Sequence, residues 1–161
     1  MSNTSMPTIS SLGTVALPGF VGILGLMGMA GGVYGLLSPI EAGRQFGIKT
    51  SSSSPTEMAL LRAIALRNLG GGATNLVLML MWQFSSLSRA SPVVAHTFQR
   101  ALGIGFLLGT SVAVGDAYVL IKYADSPGLV GEASRVGREK SKGHAFMALP
   151  IFALGLACCL L

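Results

Sequence analysis

Leu17-Pro-Gly-Phe-Val-Gly-Ile-Leu-Gly-Leu-Met-Gly-Met-Ala-Gly-Gly-Val-Tyr-Gly-Leu-Leu37 contains no charged side chain. A run of that length is long enough to cross the hydrocarbon core of a bilayer as a helix. Three more apolar stretches follow, at about 63–82, 101–121 and 144–161, and only 11% of the chain is charged against 51% hydrophobic. Soluble domains carry about 25% charged residues, and the mean hydropathy here is +0.66. The expected fold is therefore all-α: one integral membrane domain over residues 1–161, a four-helix bundle running up-down-up-down.

Proline punctuates the spans. Pro18 fits a first turn, Ser38-Pro39 ends span one, and Ser54-Pro55 and Ser91-Pro92 each read as an N-cap followed by proline at the first helical position. Pro39 to Ile48 mixes charge with apolar residues, as a short interfacial helix does. Gln83–Ser91 and Asp125–Gly143 read as polar loops, and Pro150 is expected to kink the last span. Gly22, Gly25, Gly28, Gly31 and Gly35 form one small-residue stripe, and Ala101, Gly105, Gly109 and Ala113 form another. Both are expected to be glycine-rich packing faces. Trp82 falls where an interfacial aromatic anchor belongs. Cys158 and Cys159 are adjacent in an apolar run and read as small packing residues. The N-terminus lacks the basic segment of a secretory signal.

The net charge of +5 does not indicate nucleic-acid binding, because the basic residues flank the spans. Arg44, Lys49, Arg62, Lys122, Arg135, Arg138, Lys140 and Lys142 all fall on one side of the predicted bundle, and only Arg89 and Arg100 flank the other. That asymmetry predicts a cytoplasmic basic side with both termini lumenal or external.

Two charges lie inside the spans: Arg67 and Asp116. Each costs on the order of 2.5–3.5 kcal/mol at a helix centre unless it faces a partner or a wet cavity. Counting from the span ends at 1.5 Å per residue puts both about 6–8 Å below the basic boundary, so an ion pair is permitted. Asn68, Gly71, Gly72 and Asn75 share a face beside Arg67. Glu41, Arg44, Arg62, Tyr118 and His144 lie near the same boundary, His144 reading as interfacial. A polar pocket roofed by Glu41–Ile48 is the functional expectation, and a pair that only fixes helix register is the structural alternative. The sequence has no nucleotide loop, no nucleophile elbow and no metal-ligand spacing, so no cofactor or metal is expected. What remains suits metal-free acid–base chemistry on a lipophilic small molecule: epoxide opening, lactone hydrolysis, isomerisation or cyclisation. Charge and depth assign Asp116 as acid or base, Glu41 as its alternate, and Arg67 to orient substrate or stabilise an oxyanion. Asn68, Tyr118, Arg62 and Arg44 are assigned to binding.

The blocks Gly35–Ile48, Arg62–Gly72 and Arg100–Ala117 resemble a family of small, mostly fungal, four-span membrane proteins of unknown function. The resemblance covers nearly the whole chain. Some similar proteins accompany secondary-metabolite enzymes, including hydrolases of citreoviridin- and aurovertin-type polyene pathways. The resemblance implies opening of epoxides on a polyketide polyene, a flavin monooxygenase and a polyketide synthase as pathway partners, and an endoplasmic reticulum location. The rival expectation is a non-enzymatic scaffold recruiting enzymes through Arg135–Lys142. A transporter would require a homo-oligomer.

Overall fold

In the computed structural model, which describes residues 15–50 and 54–161, the chain is all-α. Among the described residues four helices are long and apolar enough to cross a membrane: α1 (Leu17–Leu37), α3 (Pro55–Phe84), α5 (Pro92–Ala124) and α6 (Glu132–Leu160). Two short helices, α2 (Pro39–Phe46) and α4 (Ser86–Ala90), sit at opposite ends of the bundle. The proline signals hold: Pro18, Pro39, Pro55 and Pro92 all occupy first-turn positions. Ser54 Oγ accepts the Glu57 amide at 3.3 Å, whereas Ser91 makes no side-chain cap.

Two expected loops contain helix. Gln83–Ser91 holds α4, whose first turn is capped by Ser85 Oγ accepting the Ser88 amide at 3.1 Å. The expected loop Asp125–Gly143 is helical from Glu132, so the last helix continues well beyond the apolar segment. Hydropathy finds the buried length of such a helix and is blind to its solvated part. That part is held by side-chain pairs such as Arg135 to Glu139 at 2.8 Å, the i,i+4 spacing that supports helix in water. Pro150 lies inside α6 without ending it.

The bundle is built as two tight antiparallel pairs, α1 with α3 and α5 with α6, which meet more sparsely along α3 and α5. Glycine creates the first pair. A Cβ on Gly32 would fall 2.5 Å from the Leu69 backbone nitrogen, and one on Gly72 would fall 2.5 Å from that of Met29. Both helices are therefore in backbone contact, the approach that only glycine permits. Gly32, absent from the expected stripe, makes the close approach, while a Cβ on Gly31 would meet nothing. The second pair closes through Gly103 and Gly155, and through Ser141 Oγ donating to the Ala117 carbonyl at 2.7 Å.

The second expected stripe is corrected more sharply. Gly105 and Gly109 have no neighbour closer than 3.8 Å to a built Cβ, and they line an open pocket instead of a helix contact. Spacing marks a smooth face without saying whether a helix or a void lies opposite.

All four long helices converge at the end bearing the start of α1. There Leu17, Val21, Trp82, Leu102, Phe106 and Cys158 form the core cluster. Trp82 is thus buried, at 9% exposure, and is no interfacial anchor. Its depth was readable from sequence, but helix rotation turns it inward against α1 and α5. The opposite end is closed by α2 and the turn after it. Gly47, at φ 110°, takes the left-handed conformation and sits against Lys140. The Lys49 amide donates to the Tyr123 hydroxyl at 2.8 Å, tying the first helix pair to the second.

Candidate functional site

Arg67 lies on α3 and Asp116 on α5, so each belongs to a different helix pair. Their antiparallel courses bring them to one depth, and the side chains meet in a two-pronged ion pair. Nη1 donates to Oδ1 at 3.1 Å and Nη2 to Oδ2 at 2.9 Å. This fork geometry is the strong form of a guanidinium–carboxylate contact. It joins the two halves of the bundle, whereas Glu41–Arg44, Arg135–Glu139 and Arg138–Asp125 each stay within one half. The pair is unequally covered: the Arg67 side chain is 41% exposed and that of Asp116 only 17%.

A third ionisable group joins them. His144 on α6 lies within electrostatic reach of Asp116, Arg67 and Lys140, and its ring packs against Phe46 of α2 with centroids 4.8 Å apart. It stands half-buried against α2 at the basic end and lines a pocket there.

Two open pockets meet at Asn68. One, of about 300 Å³, is lined by Arg67, Asn68, Asn75, Gly105, Gly109 and Phe106 among others. The other, of about 250 Å³, lies nearer the basic end and is lined by Tyr34, Gln45, Phe46, Asn68 and His144. There α2 forms the end wall, as the expected roof does, and Gln45 Nε2 donates to the Tyr34 hydroxyl at 3.4 Å. The amides Asn68 and Asn75 thus share a pocket wall with Arg67, while the hydroxyl and imidazole line the adjoining pocket.

The other expected site residues are not gathered here. Glu41 and Arg44 pair with each other at 2.5 Å on the exposed face of α2. Arg62 is exposed on α3. Tyr118 points outward at 61% exposure, with Lys122 Nζ 5.7 Å from its ring centre. Tyr118 sits two residues from Asp116, so its rotation of about 200° takes it to the opposite face. Tyr34, Gln45 and His144 line the pocket beside Asn68 instead. The sequence signal for Tyr34 was available, since it lies on α1 near the depth of the pair.

Chemically the arrangement offers a cation (Arg67), an imidazole and neutral amides lining space for a small organic molecule, with the Asp116 carboxylate held by the guanidinium. Among the described residues no cluster of three or more His, Cys, Asp or Glu side chains could hold a metal ion. No curated protein and no solved structure matches the chain. A family model does match, over residues 25–158, the stretch that carries Arg67, Asp116, Asn68 and His144. The chain belongs to the family described as Domain of unknown function (DUF4267).

Proposed function

We propose that this protein is a membrane-bound hydrolase or cyclase that opens epoxides on a lipophilic polyene intermediate by metal-free acid–base catalysis. The observation supporting that reading is the Arg67–Asp116 fork, whose Arg67 lines an open pocket with Asn68 and Asn75, while His144 lines the adjoining one. Asp116 is the base in this reading: its oxygens keep lone pairs beyond those that accept from Arg67, and one of them takes a proton from water. The water oxygen bonds to one ring carbon as the carbon–oxygen bond breaks. His144 delivers a proton to the departing ring oxygen, and the proton held by Asp116 returns to His144 through water. The sum is epoxide plus water giving a diol. A hydroxyl of the substrate in place of water gives a cyclic ether. Asn68 orients the ring oxygen, and Arg67 holds the carboxylate in place.

The experiment is epoxide turnover by membranes or purified protein carrying Asp116→Asn or His144→Ala. A positioned acid or base contributes about 10²- to 10⁴-fold, and a loss of that order is expected in each. Wild-type turnover in both folded variants would remove the site. The proposal extends to a polyketide pathway supplying the epoxide through a flavin monooxygenase, and to the endoplasmic reticulum with the basic end cytoplasmic. Protease access to a tag placed between α5 and α6 in sealed microsomes tests that orientation.

One feature favours a second reading, a non-enzymatic scaffold. The solvated first turns of α6 carry exposed Lys140 and Lys142 and stand ready for a partner. Under that reading, charge reversal there abolishes pathway flux while Asp116→Asn does not.

A further inference from the structure

The ion pair is reached from the side of the bundle. Outside the α3–α5 seam runs a groove of about 450 Å³, lined by Ile48, Leu60, Ala63, Ile64, Val119 and, at its inner end, Arg67. Its walls are almost wholly apolar, and Leu60 on its rim is 62% exposed. From Leu60 to Arg67 the helix rises about 10 Å at 1.5 Å per residue, so the groove runs from near the basic boundary down to the guanidinium. Arg67 also lines the open pocket that holds Asn68 and Asn75. One side chain is therefore common to the apolar groove and to the amide-lined pocket. The uneven cover of the pair fits this: Asp116 is screened, and the 41% of Arg67 left open marks the approachable side. An arginine at this depth is costly next to plain hydrocarbon, so its open side suits a ligand that brings an oxygen acceptor.

We propose that the groove is the substrate entrance and holds the hydrocarbon arm of a lipid-dissolved substrate. The molecule enters from the bilayer, oxygen-bearing end first. That end meets Arg67 where the groove joins the amide-lined pocket, and the apolar arm lies between Leu60 and Ile64 of α3 and Val119 of α5. The substrate class is a long, unbranched or polyene chain with an oxygen function near one end. Short, water-soluble epoxides are poor substrates because they leave the groove empty, and binding along the arm is what offsets the ordering of the reacting end. This assignment rests on the enzymatic reading above, although the groove and its occupant are measurable without turnover.

The test has two arms on the full-length protein. In the first, a long-chain fatty acid with a mid-chain diazirine is photolysed with the wild-type protein in nanodiscs, and labelled residues are mapped by mass spectrometry. Labels are expected to concentrate on Leu60–Arg67 and Val119, and to fall when a long-chain epoxide competes. Labels spread evenly over lipid-facing positions such as Val77 and Phe146 overturn the proposal. In the second arm, Ala63→Trp plugs the groove, with Val77→Trp on the same helix as control. The preference for long over short epoxides, as a ratio of kcat/KM, is expected to fall about tenfold or more in Ala63→Trp, carried by KM, and to stay unchanged in Val77→Trp. Turnover with an unaltered chain-length preference in Ala63→Trp overturns the groove and leaves the enzymatic reading standing. Focused, competable labelling in a protein that turns over no epoxide does the reverse.

Discussion

Removing the two members of the Arg67–Asp116 pair should not be equally damaging, and the order follows from their cover. Arg67→Leu strips both donors from a carboxylate whose side chain is only 17% exposed. Breaking a covered pair by deleting one partner costs about 3–5 kcal/mol, because the survivor is left unanswered in a poor solvent. Asp116→Leu leaves Arg67, which is 41% exposed and has a long stem that can carry its head toward the basic boundary. Solvent screening discounts that loss, and about 1–3 kcal/mol is expected, near the range of hydrogen bonds to charged groups. Arg67→Leu/Asp116→Leu leaves neither charge and should recover most of the loss, because apolar replacement of such a pair is often neutral or better. The coupling in the double-mutant cycle is then large and favourable. Denaturant titration in detergent reads it, with the single tryptophan, Trp82, as reporter. Trp82 lies in the core cluster at the far end of the bundle, so its emission follows global unfolding and not local change at the pair. Equal losses in the two single variants, or a double variant as unstable as the sum, would refute the reasoning.

Three further outcomes are expected. Gly32→Ala and Gly72→Ala should each destabilise by about 1–3 kcal/mol through overpacking, whereas Gly31→Ala, facing open space, should be neutral or slightly stabilising; thermal denaturation in detergent compares them. Ser141→Ala removes a buried hydrogen bond to the Ala117 carbonyl and should cost about 1 kcal/mol, seen in the same assay. Gly47→Ala places a side chain at φ 110° against Lys140; it should cost about 1–3 kcal/mol and raise the proteolysis rate of the α2 segment.

What could be read from sequence here was position along the membrane normal. Apolar runs and prolines placed α1, α3 and α5 closely, and counting residues from two opposite span ends put Arg67 and Asp116 at one depth, where the pair forms. Rotation about each helix axis could not be read, because a helix apolar all round has no polar face to orient it. Nearly every difference between expectation and structure has that origin. Tyr118 turns out, Trp82 is core, Gly32 and not Gly31 meets α3, and Gly105 and Gly109 face an open pocket. The length of α6 has another cause: charged turns held by i,i+4 pairs carry no hydropathy signal.

The pair also sets a condition on how the protein is made. Its members are separated by 49 residues, and chains are synthesised at about 5–20 residues per second, so Arg67 exists for about 2–10 s before Asp116 has been made. The α1–α3 hairpin, already complete through its glycine contacts, has to lodge in the membrane with an unanswered guanidinium. Its partial exposure near the basic end lets that charge wait at the headgroups. Asp116 then arrives on the second hairpin as the signal that docks one preformed half against the other.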